Sequence, residues 1–252
     1  MHIRQAGIVA RADGSMPGRS VTYGSMAVRA VIFDWGGTLT PWHSIDHEAL
    51  WLEVCTPHYP AGRAAEIAAA IRAAEFALWR QSETAQESAT LDQIFARAGI
   101  TAGEEFLATY YRTWDPHTYT DPDVAPLWRE LRDRGIRVGV LSNTMWPRSA
   151  HELVFSRDGV LSLIDGAVYS SEIPWTKPHP EAFRAAMAAV GVSDPASCVF
   201  VGDRPYDDIY GAKRLGMRGV LIPHSEVPRH DEVVPDAVIT RLAELPAHLD
   251  AW

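Results

Sequence analysis

Residues 28–40 read Val-Arg-Ala-Val-Ile-Phe-Asp-Trp-Gly-Gly-Thr-Leu-Thr. The first six, Val28 to Phe33, are almost wholly apolar and rich in β-branched side chains, the pattern of a central parallel strand buried on both faces. Asp34 then stands at the strand's carboxyl end, before a glycine pair. Two further runs have the same form: Ile136 to Leu141 (IRVGVL) stops at Ser142-Asn143-Thr144, and Cys198 to Val201 (CVFV) stops at Gly202-Asp203. Helical patterns at 123–135, 181–190 and 208–215 alternate with these runs, and 219–222 and 237–239 offer more strands. The alternation predicts a doubly wound α/β parallel sheet. Ligands of such sheets collect outside the carboxyl ends of the strands, so the three polar termini are expected to form one site.

Residues 43–117 break the alternation. They are rich in Ala, Glu, Arg and aromatics at helical spacing, which predicts an inserted α-helical cap between a core made of 26–42 and 118–252. Residues 1–25 lack the apolar centre of a secretory signal and are read as a disordered extension, or as upstream of a true start at Met26 rather than Met1. The segment 223–235 reads as a loop. No run reaches the roughly 20 apolar residues of a membrane span. A formal net charge of −9 argues against nucleic acid, whose phosphates need clustered Lys and Arg. Cys55 and Cys198 are too few for a disulfide framework and suit a reducing cytoplasm, where both would be inert thiols. The expected partner is a small molecule, and the chain a monomer or homodimer.

Asp34 alone is compatible with a simple turn cap, but Asp203 ends a second strand and Asp208 opens a helix five residues later. Carboxylates gathered at one sheet edge repel unless a cation relieves them, and a hard divalent ion with oxygen ligands, Mg²⁺, answers that need. Lys177, one of two lysines, lies between prolines in Trp-Thr-Lys-Pro-His-Pro, and its ammonium is a candidate to pin a phosphate oxygen beside Asp34. Ser142 and Asn143 offer a hydroxyl and a backbone N–H to a phosphoryl oxygen, or form an ordinary turn.

Four ordered motifs, hhhhDxGGTLT ending at Thr40, LSNT at 141–144, KPHPEAF at 177–183 and VGDRPYDDIYGAKRLGM at 201–217, resemble those of the haloacid dehalogenase superfamily. The resemblance covers about 28–222 and implies a Rossmann-like core with a C1-type helical cap. It implies that Asp34 is the nucleophile and forms an aspartyl phosphate, one hard displacement becoming two easier ones. Ser142 and Lys177 would act with it on the phosphoryl group. Asn143, Thr38 and Trp35 would join Ser142 and Lys177 in binding substrate. Asp34, the Gly36 carbonyl, Asp203 and Asp208 would hold Mg²⁺, and the enzyme would be a phosphatase of a small phosphorylated metabolite.

One position departs from the pattern. Family phosphatases usually carry a second Asp two residues after the nucleophile as general acid and base, and here that position is Gly36. A replacement acid from His43, Asp46 or His47, a substrate with a good leaving group such as an acyl phosphate, or a phosphoryl-ligand binding module with little turnover would each accommodate it. The 2-haloacid dehalogenases also lack that Asp and release halide without a metal, which keeps them as an alternative, although their first motif carries Tyr where Gly36 stands. Residues 43–117 contain no lysine for the Schiff-base chemistry of phosphonatases. Trp51, Tyr59, Tyr110, Tyr111 and Trp114 are expected in the core of the cap rather than around a substrate.

Overall fold

The computed structural model describes residues 27–224, 226–228 and 230–252; the expectations for 1–25 and for the start of translation lie outside these. Six parallel strands form one sheet in the order β3-β2-β1-β4-β5-β6: β1 Ala30–Phe33, β2 Arg137–Ser142, β3 Gly166–Tyr169, β4 Cys198–Gly202, β5 Arg218–Leu221 and β6 Ala237–Val238. The chain leaves β1 towards one edge and later returns beside it to build the other. The β1/β4 junction is therefore the point where strand order reverses, and the crevice beyond it is open to ligand. All four residues of β1 are fully buried, as an apolar run between layers requires.

Helix α1 (His47–Cys55), α2 (Ala61–Ala85), α3 (Leu91–Arg97) and α4 (Glu104–Trp114) form the insert between β1 and the core helix α5 (Val124–Asp133). Then come α6 (Arg148–Arg157), α7 (Pro180–Ala189), α8 (Gly211–Leu215) and α9 (Leu245–Leu249). One face of the sheet packs Val31, Phe33, Val138 and Val199 against Trp128 and Leu131 of α5, and the other packs Ile32 and Phe200 against Phe183 and Met187 of α7. Trp51, Ile71, Phe95, Phe106 and Tyr110 make a separate core inside the insert, joined by Met145 and Trp146. These aromatics pack on one another, Trp51 on Tyr110 at 4.9 Å, so they are structural.

Three local expectations change. Strand β3 and helix α6 carry no strong periodic signal in sequence, because β3 is a four-residue edge strand half exposed at its first two positions. The predicted helix from Asp208 begins earlier and differently, as the wide π turn Pro205–Tyr210 that runs into α8. The insert is also not purely helical in its pairing. Glu87 forms an isolated antiparallel bridge with Trp175, next to Lys177. Among the described residues, no helix is long and apolar enough to cross a membrane.

Candidate active site

Each carboxylate sits where a strand runs out of backbone partners. Asp34 follows β1, and its amide still donates to Val201 of β4 at 2.9 Å, which fixes the residue at the sheet's edge. Asp203 follows β4. Asp208 is turned back towards the sheet by the π turn, an element frequent at functional sites; its Oδ2 accepts from the Arg204 amide at 2.9 Å. All three are buried, with one oxygen from each within 4.8 Å of the others. Two glycines permit this closeness. A β-carbon at Gly202 would lie 2.3 Å from Asp208 Oδ2, and one at Gly37, whose φ is +80°, would lie 2.9 Å from Asp203 Oδ2.

Lys177 reaches this cluster from the segment before α7. Its Nζ donates to Asp34 Oδ1 at 2.6 Å and to Asp208 Oδ1 at 2.7 Å, and the side chain is almost wholly buried. Asn143, at the end of β2, holds the lysine's backbone from both sides: Lys177 N donates to Asn143 Oδ1 at 2.8 Å, and Asn143 Nδ2 donates to Lys177 O at 2.9 Å. Asn143 is thus placed to position Lys177. Ser142 is buried at the end of β2, and the Thr38 hydroxyl is buried without a partner. Trp35 packs where the sheet core meets the insert core, its ring 4.4 Å from His151 and 5.6 Å from Trp146.

The electrostatics are lopsided. Burial opposes the charge on Lys177, but Asp208 and Asp34 outweigh it and hold the ammonium above the usual lysine range. Asp208 is pushed up to about 6 by burial, with Lys177 pulling it down and Asp34 pushing it up. Asp203 rises furthest, to about 9, through burial and then the Asp34 and Asp208 charges, and neither of its oxygens has a hydrogen-bond partner. A buried carboxylate with two orphaned oxygens beside two more carboxylates is short of positive charge, which one lysine does not supply. The donor set is all oxygen, so the residues present fit Mg²⁺.

Of the replacement acids expected beyond Gly36, Asp46 caps α1 by accepting from the amides of Glu48 and Ala49. His47 pairs with the buried Glu75 at 3.2 Å, and the His43 ring packs edge-on against His117 at 5.1 Å. All three are engaged within or against the insert. A residue the sequence did not single out comes closer. His224 Nε2 donates to the carbonyl of Gly37 at 2.7 Å, and its ring stacks on Trp42 at 5.3 Å. It stands 187 positions from Gly37 in a stretch that reads only as a loop, so no local signal marks it. Both cysteines are buried, their thiols pushed up to about 11 mainly by burial, as inert thiols should be.

A family model for haloacid dehalogenase-like hydrolases matches residues 28–216. The chain is similar to a glyceraldehyde 3-phosphate phosphatase of Methanopyrus kandleri, 30% identical over 232 residues that span 86% of this chain and 95% of the relative. Its fold is like that of a haloacid dehalogenase-type phosphatase from Thermococcus onnurineus, with a TM-score of 0.63 and 24% identity over 88% of this chain and 98% of the other. It is also like that of L-2-haloacid dehalogenase from Xanthobacter autotrophicus, with a TM-score of 0.61 and 21% identity over 88% and 98% of the two chains.

Proposed function

This chain belongs to the haloacid dehalogenase-like hydrolases, and from that premise we propose that it is a Mg²⁺-dependent phosphatase in which Asp34 takes up the phosphoryl group of a small substrate. The observation that carries the reading is the Lys177 ammonium clasped between Asp34 and Asp208 while Asp203 beside them lacks any partner. That arrangement favours a cation-dependent phosphoryl site over metal-free halide displacement. The phosphatase named among its relatives acts on a phosphorylated three-carbon compound, which supports a small metabolite as substrate class.

In this reading Lys177 engages Asp34 Oδ1 and leaves Oδ2 to attack phosphorus. The Asp34–phosphorus bond forms as the bond from phosphorus to the leaving-group oxygen breaks, and water then cleaves the aspartyl phosphate to release phosphate and restore Asp34. Ser142 and the unpartnered Thr38 hydroxyl donate to phosphoryl oxygens, while Lys177 offsets their charge. Asp34, Asp203, Asp208 and the Gly36 carbonyl would hold Mg²⁺, which supplies charge neutralisation and Lewis-acid polarisation at the phosphoryl group. Position 36 brings no proton to the departing oxygen. The site therefore suits substrates whose leaving group departs as a stable anion, acyl phosphates first among them.

The test is phosphate release from acetyl phosphate and from a panel of alkyl phosphomonoesters, with and without Mg²⁺, for wild type and Asp34→Asn. Release that needs both Mg²⁺ and Asp34, with acetyl phosphate turned over fastest, is the expected result. Undiminished turnover by Asp34→Asn would sink the reading.

A further inference from the structure

We infer that His224 is a positioning residue of this site. From the loop after β5 it holds the Gly37 carbonyl, and so sets the course of the turn that carries the Gly36 carbonyl and the Thr38 hydroxyl past Asp203. The inference rests on the phosphatase reading above and deepens it, since that reading gives the first of these groups to the cation and the second to the phosphoryl oxygens.

Residues 35–40 make a tight turn rather than a helix or a strand. The amides of Thr38, Leu39 and Thr40 converge on the Trp35 carbonyl at 3.3, 2.8 and 3.1 Å, and the Gly37 amide donates to Thr40 Oγ1 at 3.3 Å. The Leu39 carbonyl accepts from the Asp121 amide at 2.8 Å, which anchors the far end of the turn. These bonds leave the carbonyls of the glycine pair to be aimed from elsewhere. Gly36 and Gly37 bring no side chain to do it, and Gly37 takes a φ of +80°, where the backbone of glycine is at its freest.

His224 aims one of these carbonyls. Its Nε2 donates to Gly37 O at 2.7 Å, the short end for an N–H···O bond, and its ring stacks on Trp42 at 5.3 Å with the planes 24° apart. Trp42 is held in turn by Glu226, which accepts from Trp42 Nε1 at 3.2 Å and from Ser44 Oγ at 2.7 Å. The loop after β5 therefore grips the chain after β1 at Gly37, Trp42 and Ser44. The grip falls where that chain meets the carboxylates. A β-carbon at Gly37 would lie 2.9 Å from Asp203 Oδ2 and 3.0 Å from Trp42 Cε3, so the backbone there is wedged between the carboxylate and the indole. His224 bonds to the wedged residue and stacks on one side of the wedge. Without that bond the glycine pair can rotate its peptide planes and carry the Gly36 carbonyl out of place. Partners that orient metal ligands in this way typically contribute about ten- to a hundredfold in metal affinity.

Two substitutions separate the donated hydrogen bond from the stacked ring. His224→Phe keeps a ring for Trp42 and lacks the donor, whereas His224→Gln offers an amide donor at similar reach and lacks the ring. His224 is half-buried in a loop, so both changes spare the core. Mg²⁺ binding to the full chain is read by titration calorimetry, and beside it the Mg²⁺ concentration that gives half-maximal phosphate release from acetyl phosphate. His224→Phe is expected to weaken Mg²⁺ by about tenfold or more in both readings, with a smaller change in the KM for acetyl phosphate, and His224→Gln to recover most of that loss. Equal Mg²⁺ affinity in wild type and His224→Phe overturns the inference and leaves the phosphatase reading intact. Equal losses in the two variants overturn it as well, because the ring's packing and not the donated bond would then be what matters. A wild type that neither binds Mg²⁺ nor shows Asp34-dependent release removes both readings together.

Discussion

At Gly36 a β-carbon would meet no atom within 4 Å, and the residue is exposed. The backbone there thus has room for the Asp that family phosphatases carry. Gly36→Asp is expected to raise kcat on alkyl phosphomonoesters by about a hundredfold or more, the lower end of the usual scale of general acid–base help, with a much smaller change on acetyl phosphate. A variant that binds Mg²⁺ and gains nothing on alkyl esters would show that the missing proton is not what limits them. His151 poses a different residue-scale question. It is fully buried, its Nε2 is 3.1 Å from the Thr144 hydroxyl, and its ring lies flat on Tyr169 at 4.4 Å. Burial, assisted by Arg148, lowers its pKa from 6.5 to about 3. The folded protein therefore holds this imidazole neutral where the unfolded chain would protonate it. Stability is complete above pH 6.5 and falls as pH drops towards 3, by up to about 1.4 kcal/mol per unit from this group. Urea unfolding between pH 7 and 4 is expected to show a shallower decline in His151→Phe than in wild type, and parallel declines would assign the acid sensitivity elsewhere.

Among the elements, the end of α2 does more than cover the core. Helix α2 terminates at Gln86, whose φ of 56° is left-handed, and the chain then runs alongside residues 174–176. Thr176 N donates to Gln86 O at 3.0 Å, Ser88 N to Pro174 O at 3.1 Å, and Ser82 Oγ to Thr176 Oγ1 at 3.3 Å. Lys177 is the next residue. The insert thereby fastens the segment that aims the ammonium at Asp34, and Asn143 fastens it from the core side. Asn143→Ala leaves both backbone groups of Lys177 without those partners. It is expected to cost about 1–3 kcal/mol of stability and to lower kcat more than it raises KM, because the lysine loses its aim rather than its charge. A change confined to KM would mean that Asn143 contacts substrate instead.

For the molecule as a whole, the carboxylate cluster couples the cation to stability. Asp203 titrates near 9 in the cation-free fold against an ordinary 3.8, so the folded state binds its proton more tightly than the unfolded state does. The cation-free protein accordingly loses stability as pH rises from about 4 to about 9, and a bound cation removes that loss. Thermal unfolding at pH 8 is expected to shift upwards on adding Mg²⁺ to wild type. Asp203→Asn in chelator is expected to exceed wild type in chelator by about 1–3 kcal/mol and to respond little to Mg²⁺. A variant less stable than wild type under those conditions would show that the cluster is not strained by its own charge.

What the sequence determined by itself was whatever follows from short-range pattern. Apolar β-branched runs ending in Asp34, Ser142 and Asp203 mark buried strands and their exits, because side-chain burial on both faces confines polar residues to the strand's ends. Lys177 and Asp208 were legible through the motifs around them, and the insert through its helical spacing. Tertiary structure alone decided the rest. The edge strand β3 is too short and too exposed to carry a burial pattern of its own. Asn143 became a support for Lys177 only when β2 met the segment before α7, and Trp35 packs where the two cores meet because Trp146 and His151 gather there. His224 reached Gly37 across 187 positions because β5 lies next to β4 and delivers its following loop to the same sheet edge. Such meetings depend on which strands pair, a long-range choice that local periodicity does not encode.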